Sequence, residues 1–114
     1  MSYKLLIEIP RTPIPGCRNQ KVIDLVMKAC EGKKPNAPLS KANITLIRHA
    51  ERMLDFEGLV DSMNAVVTAL VVAGVIVDGS WNCLGAWNVH QRYRSKLEGA
   101  TTEILVLARP DRQN

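Results

Sequence analysis

Apolar and polar positions alternate through "YKLLIEI", from Tyr3 to Ile9, and the alternation stops at Pro10. A period of two belongs to a half-buried strand, and proline cannot donate to a ladder, so the pattern predicts a strand over 3–9. "PRTPIPG" follows, with three prolines and a glycine in seven residues. It predicts a stiff, extended loop. From Asn19 to Glu31 the period changes: Val22, Leu25, Val26 and Ala29 fall at helical spacing, while Lys21 and Lys28 face away from that stripe. "GKKPNAPLSK" predicts a turn-rich connection, and "ANITLIRH" (Ala42–His49) a second strand.

The next segment carries two stripes. Leu59, Met63, Val66, Val67 and Leu70 are apolar, whereas Glu57, Asp61, Asn64 and Thr68 fall at i, i+4, i+7 and i+11. That spacing predicts an amphipathic helix from Glu57 to Val72, ended by Gly74. Val75–Val77 then predicts a short strand running into the turn "DGS". Part of Trp87–Tyr93 and "TEILVL" (Thr102–Leu107) predict two more, joined by the charged turn "RSKLEGA". The tail, about residues 108–114, is expected to fray. The order β, α, β, α, β, β, β predicts one small α+β domain over residues 1–114, with two main helices packed on a mixed sheet.

Composition narrows the class. The chain has 114 residues, 46% of them hydrophobic and 23% charged, which suits one globular domain rather than a disordered segment. Aromatic residues are only 4%, so the core must be built from Val, Leu, Ile, Ala and Met. The apolar run Met63–Val77 is shorter than the ~20 residues of a spanning helix and contains Asn64, Thr68 and Gly74, so no membrane is expected. Met1–Ile9 carries Lys4 and Glu8 within its alternation, unlike a secretory signal. Three cysteines, Cys17, Cys30 and Cys83, are odd in number and widely spaced. They show no paired zinc spacing, and the expected compartment is a reducing cytoplasm. A formal charge of +4 and a pI near 9.2 tilt the expected partners towards anions, nucleic acid first.

Nucleophilic chemistry finds little support. There are two histidines, His49 and His90, no serine in a strand–turn–helix elbow, and no glycine-rich phosphate loop. Cys83 and His90 can be drawn as a pair, but no local pattern supports it. The carboxylates are better candidates, because no lysine or arginine lies between Arg52 and Arg92 while Asp55, Glu57, Asp61 and Asp78 all do. Asp55 and Glu57, two apart, would share one side of an extended segment. Asp61 lies one turn further along the helix. Asp78 would return to the same place if Val75–Val77 paired beside the strand that ends near Arg48. Hard divalent cations take such oxygen ligands, and two or three carboxylates are a usual protein share of a metal-dependent phosphodiesterase site. The same acids also suit plainer roles: carboxylates are favoured at a helix start, and Asp-Gly is a common turn. Residues alone leave both readings open.

"LDFEGL…TALVVAGVIVDG", with the "ITLIRH" strand before it and the "TEILVL" strand after it, resembles the RusA-like Holliday junction resolvases, small endonucleases of bacteria and their phages. Their signature is Asp-x-Asp-Asn-Leu, a helix bearing a lysine and an aspartate, an "AG" turn, and a strand ending in Asp-Asp. Asp55 stands at the first aspartate, Glu57 at the second, Gly58 at the asparagine and Leu59 at the leucine. Asp61 or Asn64 stands at the lysine and Thr68 at the helix aspartate; Asp78 and Gly79 stand at the final pair. The resemblance covers most of the chain. It implies an α+β homodimer in the bacterial host cytoplasm, a phage-borne member, that resolves four-way DNA junctions in recombination and repair. It also implies catalytic metal ligation of Mg²⁺, with Mn²⁺ as a substitute, by Asp55, Glu57 and Asp78, with Asp61 as a further ligand.

The missing lysine and Gly79 define an alternative, a cleavage-deficient RusA-like module that binds DNA or protein through a degenerate metal site. For DNA contacts the candidates are Arg11, Arg18, Lys21, Lys28, Lys33 and Lys34 in the first half, and Arg92, Arg94 and Lys96 in the second. Phosphate contacts of this kind give affinity and salt dependence with little sequence information. Trp81 and Trp87 are read as packing residues first and as base-stacking residues second.

Overall fold

The computed structural model describes residues 3–14, 19–80 and 83–109. Its elements are β1 (Lys4–Ile9), α1 (Gln20–Ala29), β2 (Ala42–Ala50), α2 (Phe56–Val72), β3 (Leu84–Tyr93) and β4 (Thr101–Ala108). They form one small α+β domain around a mixed four-stranded sheet of order β1-β4-β2-β3. β4 runs antiparallel to both neighbours, and β3 runs parallel to β2. The parallel pair is joined by α2, because two parallel strands need a crossover that returns the chain to its starting end.

Alternation along the strands sorts their side chains into two faces. Leu5, Ile7 and Ile9 of β1, Ile104 and Val106 of β4, and Ile44 and Leu46 of β2 are buried on one face. Val22 and Val26 of α1 and Met63, Val66 and Leu70 of α2 join them in a single core. Both helices therefore cover the same side of the sheet. The opposite side carries Leu6, Glu8, Glu103, Leu105, Thr45, Ile47, His49, His90 and Arg92, and no described element lies over it. Leu6 is 60% exposed there.

Helix α2 ends as its glycine foretells. Gly74 takes φ +81, and its N–H reaches Val71 O at 3.0 Å while Val75 N–H reaches Leu70 O at 2.9 Å. These two bonds close the C-terminal turn with a left-handed residue that only glycine adopts without strain. The same closure corrects the expected strand at Val75–Val77. Val75 is occupied by the helix cap, and Ile76 makes only an isolated parallel bridge to Leu39. Val75 and Ile76 are both buried, which is a packed helix exit rather than a period-two strand. Among the described residues, no helix is long and apolar enough to cross a membrane.

Candidate functional site

The acids at the start of α2 are held by backbone chemistry. Asp55 is the N-cap of the helix, and its Oδ1 accepts Gly58 N–H at 2.8 Å. That bond satisfies one of the four N–H groups left free by a helix start. Phe56 is already helical, so Asp55 and Glu57 do not lie along an extended segment as expected; the cap turns the chain between them. Glu57 sits in the first turn and Asp61 one turn on, and both are exposed with Asn64 and Thr68 on the solvent stripe.

The loop that delivers Asp55 is clamped by the sheet. The Gln91 amide, on β3, accepts Leu54 N–H at 2.8 Å and donates to Leu54 O at 2.9 Å. Arg48, on β2, pairs in register with Gln91 and sends Nη1 to Gln91 Oε1 and to Arg52 O. Arg48 is 6% exposed, and burial pushes its guanidinium below the usual arginine range. Its Nε has no partner among the described residues. A buried cation and an amide thus act as a substitute ladder for a loop that has none of its own.

Asp78 lies elsewhere. Its Oδ1 accepts Ser80 N–H at 2.7 Å in an exposed turn, and donation from Ser80's hydroxyl and amide holds the carboxyl below the usual aspartate range. The expected return of Asp78 to Asp55 required Val75–Val77 beside the end of β2. Instead Ile76 bridges Leu39, ahead of β2, and the strand beside β2 is β3. Gly79 backs onto Val67, twelve residues after Asp55, which is ~18 Å along a helix axis at about 1.5 Å per residue.

A pocket of about 230 Å³ opens at Gly79, lined by Val60, Met63, Asn64, Val67, Leu84 and Trp87. Asn64 is one of the two positions, with Asp61, at which the RusA resemblance expects a lysine, and Gly79 is the one at which it expects an aspartate. Here the wall is apolar apart from Asn64. A Cβ on Gly79 would stand 2.8 Å from Val67 Cγ1, closer than unstrained contacts allow, so a side chain there would require Val67 or the turn to shift. Trp87 packs against the core, opposite Ile44, as expected of a packing indole. Trp81 lies outside the described residues.

The basic candidates divide between the ends of the sheet. Arg94 N–H bonds Ala50 O, Lys96 N–H bonds Glu51 Oε2, and Arg11 O accepts the Thr102 hydroxyl. Arg92 pairs in register with His49, and Lys21 lines the same pocket as Arg11. These five therefore gather at the end of the sheet where β2 stops and Asp55 begins. Lys28, Lys33 and Lys34 lie in the last turn of α1 and after it, towards the other end. Arg18 lies outside the described residues.

The two described thiols lie within the core. Cys30 and Cys83 are buried and free, and burial pushes the Cys30 thiol up, against a smaller lowering by Lys34 and Lys33. Cys83 Sγ points at Leu39 O, and His90 is exposed seven residues further along, ~23 Å away at about 3.3 Å per strand residue. Cys17 lies outside the described residues.

One group of side chains was not found from sequence. Glu8, His49 and Glu103 bring one ligand atom each within 4.8 Å of the others, on the uncovered face of the sheet. They are a group that can hold a metal ion. Glu8 is directly opposite Glu103 across β1 and β4, and His49 is two residues beyond Ile47, the β2 partner of Glu103. His49 Nε2 lies 2.9 Å from Glu103 Oε1. Alternation does assign Glu8 to an outward position, but only the strand order reveals what it faces.

No protein-family model matches the chain, and no curated protein matches it. Among solved structures it is similar to the GDP-form protofilaments of Bacillus thuringiensis serovar israelensis TubZ, at 8% identity and a TM-score of 0.47 over 94% of this chain. The match spans 25% of the TubZ chain, and a likeness at that level carries no functional argument.

Proposed function

We propose that this chain is a RusA-like DNA-binding protein, a homodimer that engages branched or four-way junctions, in which the strand-cutting centre has been dismantled. The observation that carries this reading is the pocket beside α2. Where the resemblance calls for an aspartate, Gly79 stands among Val60, Met63, Val67, Leu84 and Trp87, and of the two positions for its lysine one is Asn64 in this wall and the other the acidic Asp61. A cutting centre needs charge aimed at the phosphate as it reacts, and an apolar wall supplies none. Val67 also stands close enough to Gly79 that an aspartate there would force a local shift.

Binding is assigned to the sheet end that holds Arg11, Lys21, Arg92, Arg94 and Lys96. Such contacts neutralise phosphates and release counterions, so log affinity should fall by about 0.9 per phosphate contacted for each decade of salt. A second reading keeps cleavage. Asp55 and Glu57 are both exposed at the start of α2, with one Asp55 oxygen left free of the cap. In that reading they hold Mg²⁺, or Mn²⁺ in its place, with Asp61 as a further ligand and without Asp78, and the ion would activate water.

A labelled synthetic four-way junction separates the two. Incubated with the purified protein at low salt in Mg²⁺ and then Mn²⁺, it should shift in a salt-dependent manner and remain uncut. Paired symmetric cuts that vanish in Asp55→Asn would replace this reading with the nuclease. Absence of a shift would remove both.

A further inference from the structure

We propose that Glu8, His49 and Glu103 form a divalent transition-metal site with an open coordination position on the uncovered face of the sheet. The proposal is independent of the DNA reading, because none of its three ligands is a residue assigned to it.

The ligands come from three adjacent strands, β1, β2 and β4, so the sheet itself fixes their spacing. Their donor atoms already lie within 4.8 Å of one another. Strands are the more exact scaffold for such a group, since loops wander and ladder registers do not. Burial grades across the site. His49 is 7% exposed, which holds its ring in one place, whereas Glu8 is exposed and Glu103 intermediate. One fixed nitrogen at the floor and two reachable oxygens at the rim leave the solvent side open. Three protein ligands with a vacant direction are the pattern of a reactive metal site rather than a closed structural one.

Two independent features point to a cation. First, Glu8 and Glu103 face each other directly across the ladder, and like charges in that position destabilise a sheet. Among the described residues, no lysine or arginine forms an ion pair with either; the ion pair that is present joins Glu103 to His49. Second, Glu8 has an outer support. Thr101 Oγ1 donates to Glu8 Oε2 at 3.3 Å and accepts from Arg94 Nη1 at 3.0 Å. A ligating carboxylate is commonly aimed by just such a hydrogen-bonded neighbour. Thr101 is also the register partner of His49, so one residue touches both sides of the group.

The donor set selects the ion. Imidazole nitrogen with two carboxylates suits Zn²⁺, Co²⁺ or Mn²⁺, whereas Mg²⁺ prefers oxygen donors and keeps its waters. Zinc is the expected occupant among these, by its place near the top of the divalent affinity order.

The test uses the full chain stripped with chelator, in the absence of DNA. Isothermal titration and thermal melting are run with Zn²⁺, Co²⁺ and Mg²⁺. One Zn²⁺ should bind per chain and raise Tm, Co²⁺ should give visible absorption bands of a nitrogen–oxygen site, and Mg²⁺ at the same concentration should do neither. Glu8→Gln changes an exposed side chain and should fold; it should weaken Zn²⁺ by more than 100-fold. Thr101→Val should weaken it by ~10–100-fold, as outer-shell changes do. Glu103→Gln tests the central ligand, with circular dichroism to check its fold. No Zn²⁺ binding by the wild type, or binding of unchanged affinity in Glu8→Gln and Glu103→Gln, would overturn the assignment.

Discussion

Two sets of carboxylates mark this domain, and their surroundings differ in kind. Asp55 and Asp78 each spend an oxygen on a nearby backbone N–H, from Gly58 and Ser80. Each therefore has a complete local reason to be where it is, one closing a helix start and the other a turn. Glu8 and Glu103 have no such reason. They oppose each other across β1 and β4, and what they gain comes from beyond their own strands: His49 for one and Thr101 for the other. Acids that stabilise the chain without help are weak witnesses to a ligand. Acids whose placement costs free energy until something joins them are stronger ones.

That contrast can be broken most forcefully at the clamp behind Asp55. Gln91→Ala removes both bonds to Leu54 and the Arg48 contact, leaving part-buried groups unpaired, and should lower stability by about 1–3 kcal/mol in urea unfolding. If the loss is negligible, the helix-start acids are not rigidly held and the account of that end fails. Asp55→Ala comes next: loss of the cap should cost about 1 kcal/mol, whereas Asp55→Asn should cost almost nothing, since asparagine caps as well. Equal losses in the two variants would mean that the charge, and not the cap, explains Asp55.

Smaller still, Glu8→Gln in metal-free buffer should leave stability unchanged or raise it by roughly 0.2–1 kcal/mol, by removing a like-charge cross-strand pair. A clear destabilisation would put Glu8 with Asp55, as an acid with a local purpose. The smallest effect belongs to Asp78. Its folded carboxyl titrates below the usual range, so the stability it adds is present above the unfolded pKa and is lost as pH falls through the folded one. Ser80→Ala should move that titration back up, measurable by NMR of the Asp78 side chain.

Most of the scaffold could be read in the chain. Period-two alternation placed β1, β2 and β4 within a residue or two, and the two stripes on α2 gave its buried and solvent faces. Gly74 marked the helix end. What escaped were relations that alternation cannot encode. It puts Glu8 on the outer face of β1, but not which strand lies beside it, and Glu103 is remote along the chain. A slip of one residue would have turned Glu103 inward and removed the group. Val75–Val77 misled for a different reason: its apolar content is that of a strand, yet the closing turn of α2 claims its first residue. Gln91 gave no signal at all, since an amide in a strand reveals nothing about the loop it reaches.

The amide of that glutamine also sets a clock. Leu54 belongs to no ladder, but both its polar backbone groups are bound by a side chain anchored near the C-terminal end of the sheet's parallel pair. Loop amides usually exchange with solvent through small local openings, whereas amides within a sheet wait for rarer and larger ones. Leu54 N–H should therefore exchange hydrogen at the pace of β3 rather than of its neighbours in 51–55. The first turn of α2 would then be among the last parts of the molecule to fray.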